Sequence, residues 1–132
     1  MAQHPYESII ANISNAAFVQ CGGNIRCRRM EIVETPTVAA GVQQAYTPQG
    51  LQYQIWDNAL NAGAGGWGTT KQALPGATIS SNEPIPVGQA RGPCIGQPAQ
   101  TDPAGRTIAA VYPMQVMSAT ATNTQVLVRE FA

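Results

Sequence analysis

Ionisable side chains are scarce in this chain of 132 residues. It has one histidine, His4, one lysine, Lys71, and 11% charged residues in all, against about 25% in an average soluble domain. A single histidine beside a terminus excludes most nucleophilic catalysis, because Ser-His-Asp and Cys-His arrangements need an imidazole held firmly in the fold. No Gly-x-Ser-x-Gly elbow occurs. The three cysteines, Cys21, Cys27 and Cys94, match no zinc-ligand spacing even with His4 added. The expectation is a protein that is not an enzyme, with no catalytic residue, no cofactor and no metal. An odd cysteine count without an export signal points to reduced thiols packed as small hydrophobes. A Cys21–Cys27 bridge across the turn Gly22-Gly23-Asn24 is the alternative. No apolar run approaches the roughly 18 residues of a membrane-spanning helix. Met1-Ala2-Gln3 opens a segment with neither a basic region nor a continuous apolar core, so synthesis in a cytoplasm is expected.

What is present suits one folded domain over residues 1–132. The hydrophobic fraction is 44%, and seven basic residues balance seven acidic ones. That is enough apolar material for one modest core. A neutral surface with few charges gives weak mutual repulsion, which favours association. A homo-oligomer, or a subunit of a larger assembly, is the expected state.

The hydrophobic pattern is mostly that of strands. Leu51, Tyr53 and Ile55 alternate with Gln52 and Gln54, the period of a half-buried strand. The turn-like Thr47-Pro48-Gln49-Gly50 before it makes Val42 to Tyr46 a candidate hairpin partner. Ile25 to Glu34 predicts a strand with a bulge near Arg28-Arg29, Ala77 to Ser80 a short strand, and Asn61 to Gly68 a glycine-rich loop. Thr107 to Met117 and Thr124 to Phe131 are rich in β-branched residues. Pro113 places the first of these at an edge or bulge, and the run Val126-Leu127-Val128 suggests burial on both sides, by the domain core or by a neighbouring subunit. In the first 24 residues, Tyr6, Ile9, Ile10, Ile13, Ala16 and Ala17 fall at helical spacing, which predicts a short amphipathic helix with Ile9, Ile10 and Ile13 as its adhesive face. An extended arm is the alternative there. Residues 83–106 carry Pro84, Pro86, Pro93, Pro98 and Pro103 among glycines, a density that forbids a helix or a central strand. A long extended loop lying on a partner is expected. The fold class is therefore mainly β: an antiparallel sandwich or barrel with an N-terminal helix or arm and a long Pro/Gly-rich loop.

Three patterns invite a ligand. Gly63-Ala64-Gly65-Gly66-Trp67-Gly68 matches the dinucleotide fingerprint letter by letter, but Pro75 truncates any helix after Thr69-Thr70 and the surrounding pattern is not βαβ. Arg26, Arg28 and Arg29 form a basic cluster, offset at once by Glu31 and Glu34, so pairing with carboxylates is expected ahead of nucleic acid. Tyr46, Tyr53, Trp56 and Trp67 offer a platform for a sugar, although Tyr53 and Trp56 belong on opposite faces of one strand. The candidate contact residues are Ile9, Ile10 and Ile13; Arg26, Arg28 and Arg29; Trp67; and Pro84, Pro86, Pro93 and Pro98.

Runs such as Ala39-Ala40-Gly41-Val42-Gln43-Gln44-Ala45 and Ser118-Ala119-Thr120-Ala121-Thr122-Asn123-Thr124, with one lysine and a Pro/Gly arm, give the chain its overall look. It resembles small virion structural proteins of tailed bacteriophages, the head-decoration or cement subunits above all. The resemblance implies a β-rich domain on a capsid lattice that clamps coat-protein subunits, copies of itself, or both. It implies a place in the virion and transfers no individual residue role. Tail-tube, tail-terminator and connector roles stay open beside it, as does a carbohydrate-binding β-sandwich module.

Overall fold

The computed structural model describes residues 4–36, 38–39, 41–43, 46–57, 60–82 and 96–132. Two antiparallel sheets pack face to face. The first has the order β1 (Tyr6–Ile13), β13 (Thr124–Phe131), β3 (Arg29–Glu34), β9 (Ile79–Asn82). The second runs β2 (Val19–Cys21), β12 (Met114–Ser118), β6 (Leu51–Asp57), with β7 (Gly66–Trp67) and β8 (Lys71–Ala73) both pairing the far edge of β6. Two small ribbons complete it: β4 (Val38–Ala39) with β5 (Val42–Gln43), and β10 (Gln100–Thr101) with β11 (Thr107–Ile108). Among the described residues the arrangement is sandwich-like, with no closed barrel.

Strand alternation builds the core. Along β13 the residues Thr124, Val126, Val128 and Glu130 are buried, while Gln125, Leu127, Arg129 and Phe131 are only half-buried. Val126 and Val128 meet Ile13, Met30, Ile32 and Ile79 of their own sheet and Cys21, Leu51, Met114 and Val116 of the facing one. Tyr53 and Ile55 pack against this cluster from β6. Leu127, by its odd position, turns to the outer face, so the domain core buries the run on one side only.

The amphipathic helix expected near the N-terminus is corrected to a strand. Tyr6–Ile13 is β1, in register with β13 from Tyr6↔Glu130 to Ile10↔Val126. A register shift between Ile10 and Ile13, with Asn12 at φ 58°, adds residues to the strand. That irregularity turns Ile13 into the core, and strand plus bulge imitates the i, i+3, i+4 spacing of a helix. Pairing with a long neighbouring strand outweighs the weak helix propensity of β-branched isoleucine. Ile9, Ile10 and Ile13 consequently do not form one adhesive face. Ile9 is exposed, Ile10 packs on the core edge and Ile13 is fully buried.

Other boundaries move as well. β5 pairs with β4, not with β6. Ile25 to Arg28 lies outside β3, and Cys27 makes an isolated bridge to Gly96. The expected strand over Thr107 to Met117 is two, β11 and β12, separated by a buried Pro113 whose carbonyl accepts from Trp56 N at 2.9 Å. A proline just before β12 leaves that central strand's ladder intact. Of the predicted Pro/Gly-rich loop, residues 83–95, with Pro84, Pro86, Pro93 and Cys94, lie outside the described residues. Residues 96–106 correct the expectation, because they form no free arm. Gln97 bridges Val111, and β10 and β11 close a hairpin around Asp102-Pro103-Ala104-Gly105-Arg106. Asp102 N donates to Arg106 O at 2.9 Å, Gly105 N to Asp102 O at 2.9 Å, and Arg106 Nε to Asp102 Oδ2 at 2.7 Å. Gly105 takes φ 82°, a geometry nearly free of cost only for glycine.

Candidate contact surfaces

The outer face of the β1–β13–β3 sheet carries an apolar row. Ile9 pairs with Leu127, and Leu127 with Val33, so three aliphatic side chains stand abreast across three strands, about 10 Å from first to last. Ile9 is 60% exposed. The next row is Glu7, Arg129 and Glu31, and its charges are paired within the sheet. Arg129 Nε meets Glu7 Oε2 at 3.3 Å, and Arg29 Nη2 meets Glu31 Oε1 at 3.1 Å. Arg29 also lies over the Phe131 ring, 4.4 Å from its centroid, a cation–π contact. This face is apolar and electrically neutral.

The opposite outer face differs in kind. Gln115 pairs with Gln20 on one side and Gln54 on the other. Gln115 Nε2 donates to Gln54 Oε1, and Gln54 Nε2 to Thr70 Oγ1 at 2.8 Å. A chain of amides covers the second sheet.

Two buried carboxylates tie loops to the first sheet. Glu34, 6% exposed, accepts from Gln49 N and Gly50 N, each at 2.8 Å, and from Thr124 Oγ1 at 2.6 Å. Glu130, fully buried, accepts from Asn24 N at 3.1 Å and Asn24 Nδ2 at 2.7 Å. Both are satisfied internally, so they serve the fold. Beside Glu130, burial first and the carboxylate second push the Cys21 thiol up to about 12. No disulfide joins Cys21 to Cys27. Among the described residues no group of three His, Cys, Asp or Glu side chains converges as a metal site, and no helix is long and apolar enough to cross a membrane.

No family model, no curated protein and no solved structure matches the chain.

The predicted contact residues thus scatter over the surface and the core. Arg26 and Arg28 are exposed, while Arg29 is engaged by Glu31 and Phe131. Trp67 does not project from a loop. It pairs in register with Trp56, the rings edge-to-face at 5.3 Å. Gly65 of the apparent nucleotide fingerprint serves this contact, since a Cβ there would stand 2.7 Å from Trp56 Cζ2. Pro98 is half-buried beside the Gln97–Val111 bridge. The pairing of Ile9 with Leu127 and Val33 went unforeseen because a helical reading of β1 removes it.

A polar cavity of ≈ 420 Å³ opens at the end of the sandwich where Thr122 to Gln125 lead into β13. Asn12, Tyr46, Gln49 and Asn123 line it with neighbouring threonines, and no acidic or basic residue is among the lining side chains. Burial, and then the nearby Glu34 carboxylate, raise the pKa of the Tyr46 hydroxyl, so it stays a neutral donor at physiological pH.

Proposed function

We propose that this chain is a non-enzymatic virion structural protein, a capsid decoration or cement subunit that stabilises a shell through protein–protein contacts. The observation that carries the reading is the neutral apolar row Ile9–Leu127–Val33 on a sheet whose charges are already paired. Such a face needs no complementary charge. Its natural occupant is the flat, weakly charged surface of a coat subunit, and a polyanion would gain nothing from it. The low content of ionisable residues agrees, because charge is depleted at the centre of stable interfaces. Covering a largely exposed isoleucine contributes on the order of 1–2 kcal/mol. A shell repeats that small gain at every copy, so modest contacts suffice.

Sedimentation of particles from the native source tests the proposal. The chain is expected in a fast-sedimenting fraction together with one abundant coat protein, at a fixed ratio to it. A chain found wholly as a free monomer, or one that turns over a small-molecule substrate by itself, contradicts the proposal.

A further inference from the structure

The polar cavity beside β1 and β13 belongs to none of the surfaces assigned to assembly. Its size, ≈ 420 Å³, lies within the range of about 300–1,000 Å³ typical of small-molecule sites. Such sites are mostly apolar, whereas this one is walled by amides and hydroxyls. That composition selects the ligand chemistry. A carboxylate or phosphate would meet no cation among the described lining side chains and would be repelled by the nearby Glu34 carboxylate, and a hydrocarbon would leave the amides unpaired. A polyol, each of whose hydroxyls both donates and accepts, matches a lining made of groups that do the same.

The walls are prepared in two ways. Gln49 is fixed, its Nε2 donating to Thr47 O at 2.8 Å and its Oε1 accepting from Thr120 Oγ1 at 2.7 Å. Gln125 Nε2 donates to Pro36 O at 3.2 Å. By contrast, the amides of Asn12 and Asn123 and the Tyr46 hydroxyl bond to no other described side chain or backbone group. Three groups are therefore free within a frame of committed ones. Tyr46 adds a partly exposed ring, on whose face the C–H edge of a pyranose can stack. Asn12 holds its place at the β1 bulge with φ 58°, and bulges of this kind re-aim side chains beside functional sites.

We infer that this cavity is a binding site for a neutral saccharide, held by Asn12, Asn123 and the Tyr46 ring. The site is separate from the apolar outer face, so a shell subunit carrying it presents a glycan receptor at the rim of its sandwich.

Titration of the isotope-labelled full chain with galactose, N-acetylglucosamine, maltose and cellobiose, followed by NMR, tests the inference. Each sugar is taken to about 10 mM, above a millimolar dissociation constant. At least one is expected to give saturable shifts clustered at Asn12, Tyr46 and Asn123. Asn12→Gly retains the left-handed backbone and removes the amide, and Asn123→Ala removes the second amide. Each is expected to weaken binding about ten-fold, with spectra elsewhere unchanged. Absence of saturable shifts with all four sugars overturns the assignment. So does tighter binding of glucuronate than of the neutral sugars, or affinity unaltered in both variants.

Discussion

Glu34 and Glu130 are charged side chains placed where the alternation of their strands demands inward residues, and each is tolerated because loop donors surround it. Glu34 gathers Gln49, Gly50 and Thr124 from two other parts of the chain. Removing it by Glu34→Ala strands two backbone N–H groups and a hydroxyl in a buried place. The expected loss is about 3 kcal/mol in denaturant unfolding; a change below about 0.5 kcal/mol would show that water replaces the carboxylate freely. Cys21 supplies a pH dependence. Its thiol is raised from 9.0 to about 12 in the folded state, so below pH 9 both states hold the proton and nothing is lost. As pH rises from 9 towards 12 the unfolded thiol ionises first, and folding weakens across that window. The melting temperature of the native chain should therefore fall more steeply between about pH 9 and about pH 12 than that of Cys21→Ala. Parallel curves would refute the assignment.

Among the elements, β7 and its glycines show how a motif can be legible in letters and wrong in meaning. Gly65 sits at φ 88° against the Trp56 indole. Gly65→Ala is thus expected to cost about 1–3 kcal/mol and to alter the near-ultraviolet circular dichroism of the tryptophan pair; an unchanged spectrum and midpoint would contradict the packing. β6 was readable because it keeps a strict two-residue period with Gln52 and Gln54 outward, and β13 was legible as a strand from its β-branched residues, whereas its apolar run Val126-Leu127-Val128 masked the alternation. β1 was not, because its register shift at Asn12 breaks the period and leaves isoleucines at helical spacing. The hairpin β10–β11 was hidden by proline density, although Asp102-Pro103-Ala104-Gly105 is itself a turn sequence. The same misreading of β1 concealed the apolar row, since Ile9 joins Leu127 and Val33 only when β1 is a strand. Nor was the polar cavity visible in advance: Asn12 and Asn123 meet through the register of β1 on β13, and Tyr46 joins them from the segment before β6.

At the scale of the whole molecule the two outer faces divide the work. The β2–β12–β6 face carries an amide row that is hydrogen-bonded within itself, whereas the β1–β13–β3 face offers hydrocarbon with its charges already neutralised. The proposed attachment therefore has a direction, the second sheet outward and the first against the shell. Leu127→Lys places an unpaired charge in the middle of the apolar row without touching the core, so the isolated variant should unfold within about 1 kcal/mol of the native chain. The most direct measurement is the number of copies left on native particles after washing in about 1 M salt, where exposed ion pairs are screened, for the native chain and for Leu127→Lys. Full retention of the first and at least about a ten-fold loss of the second is the predicted result; equal retention of both, or release of both, would contradict it.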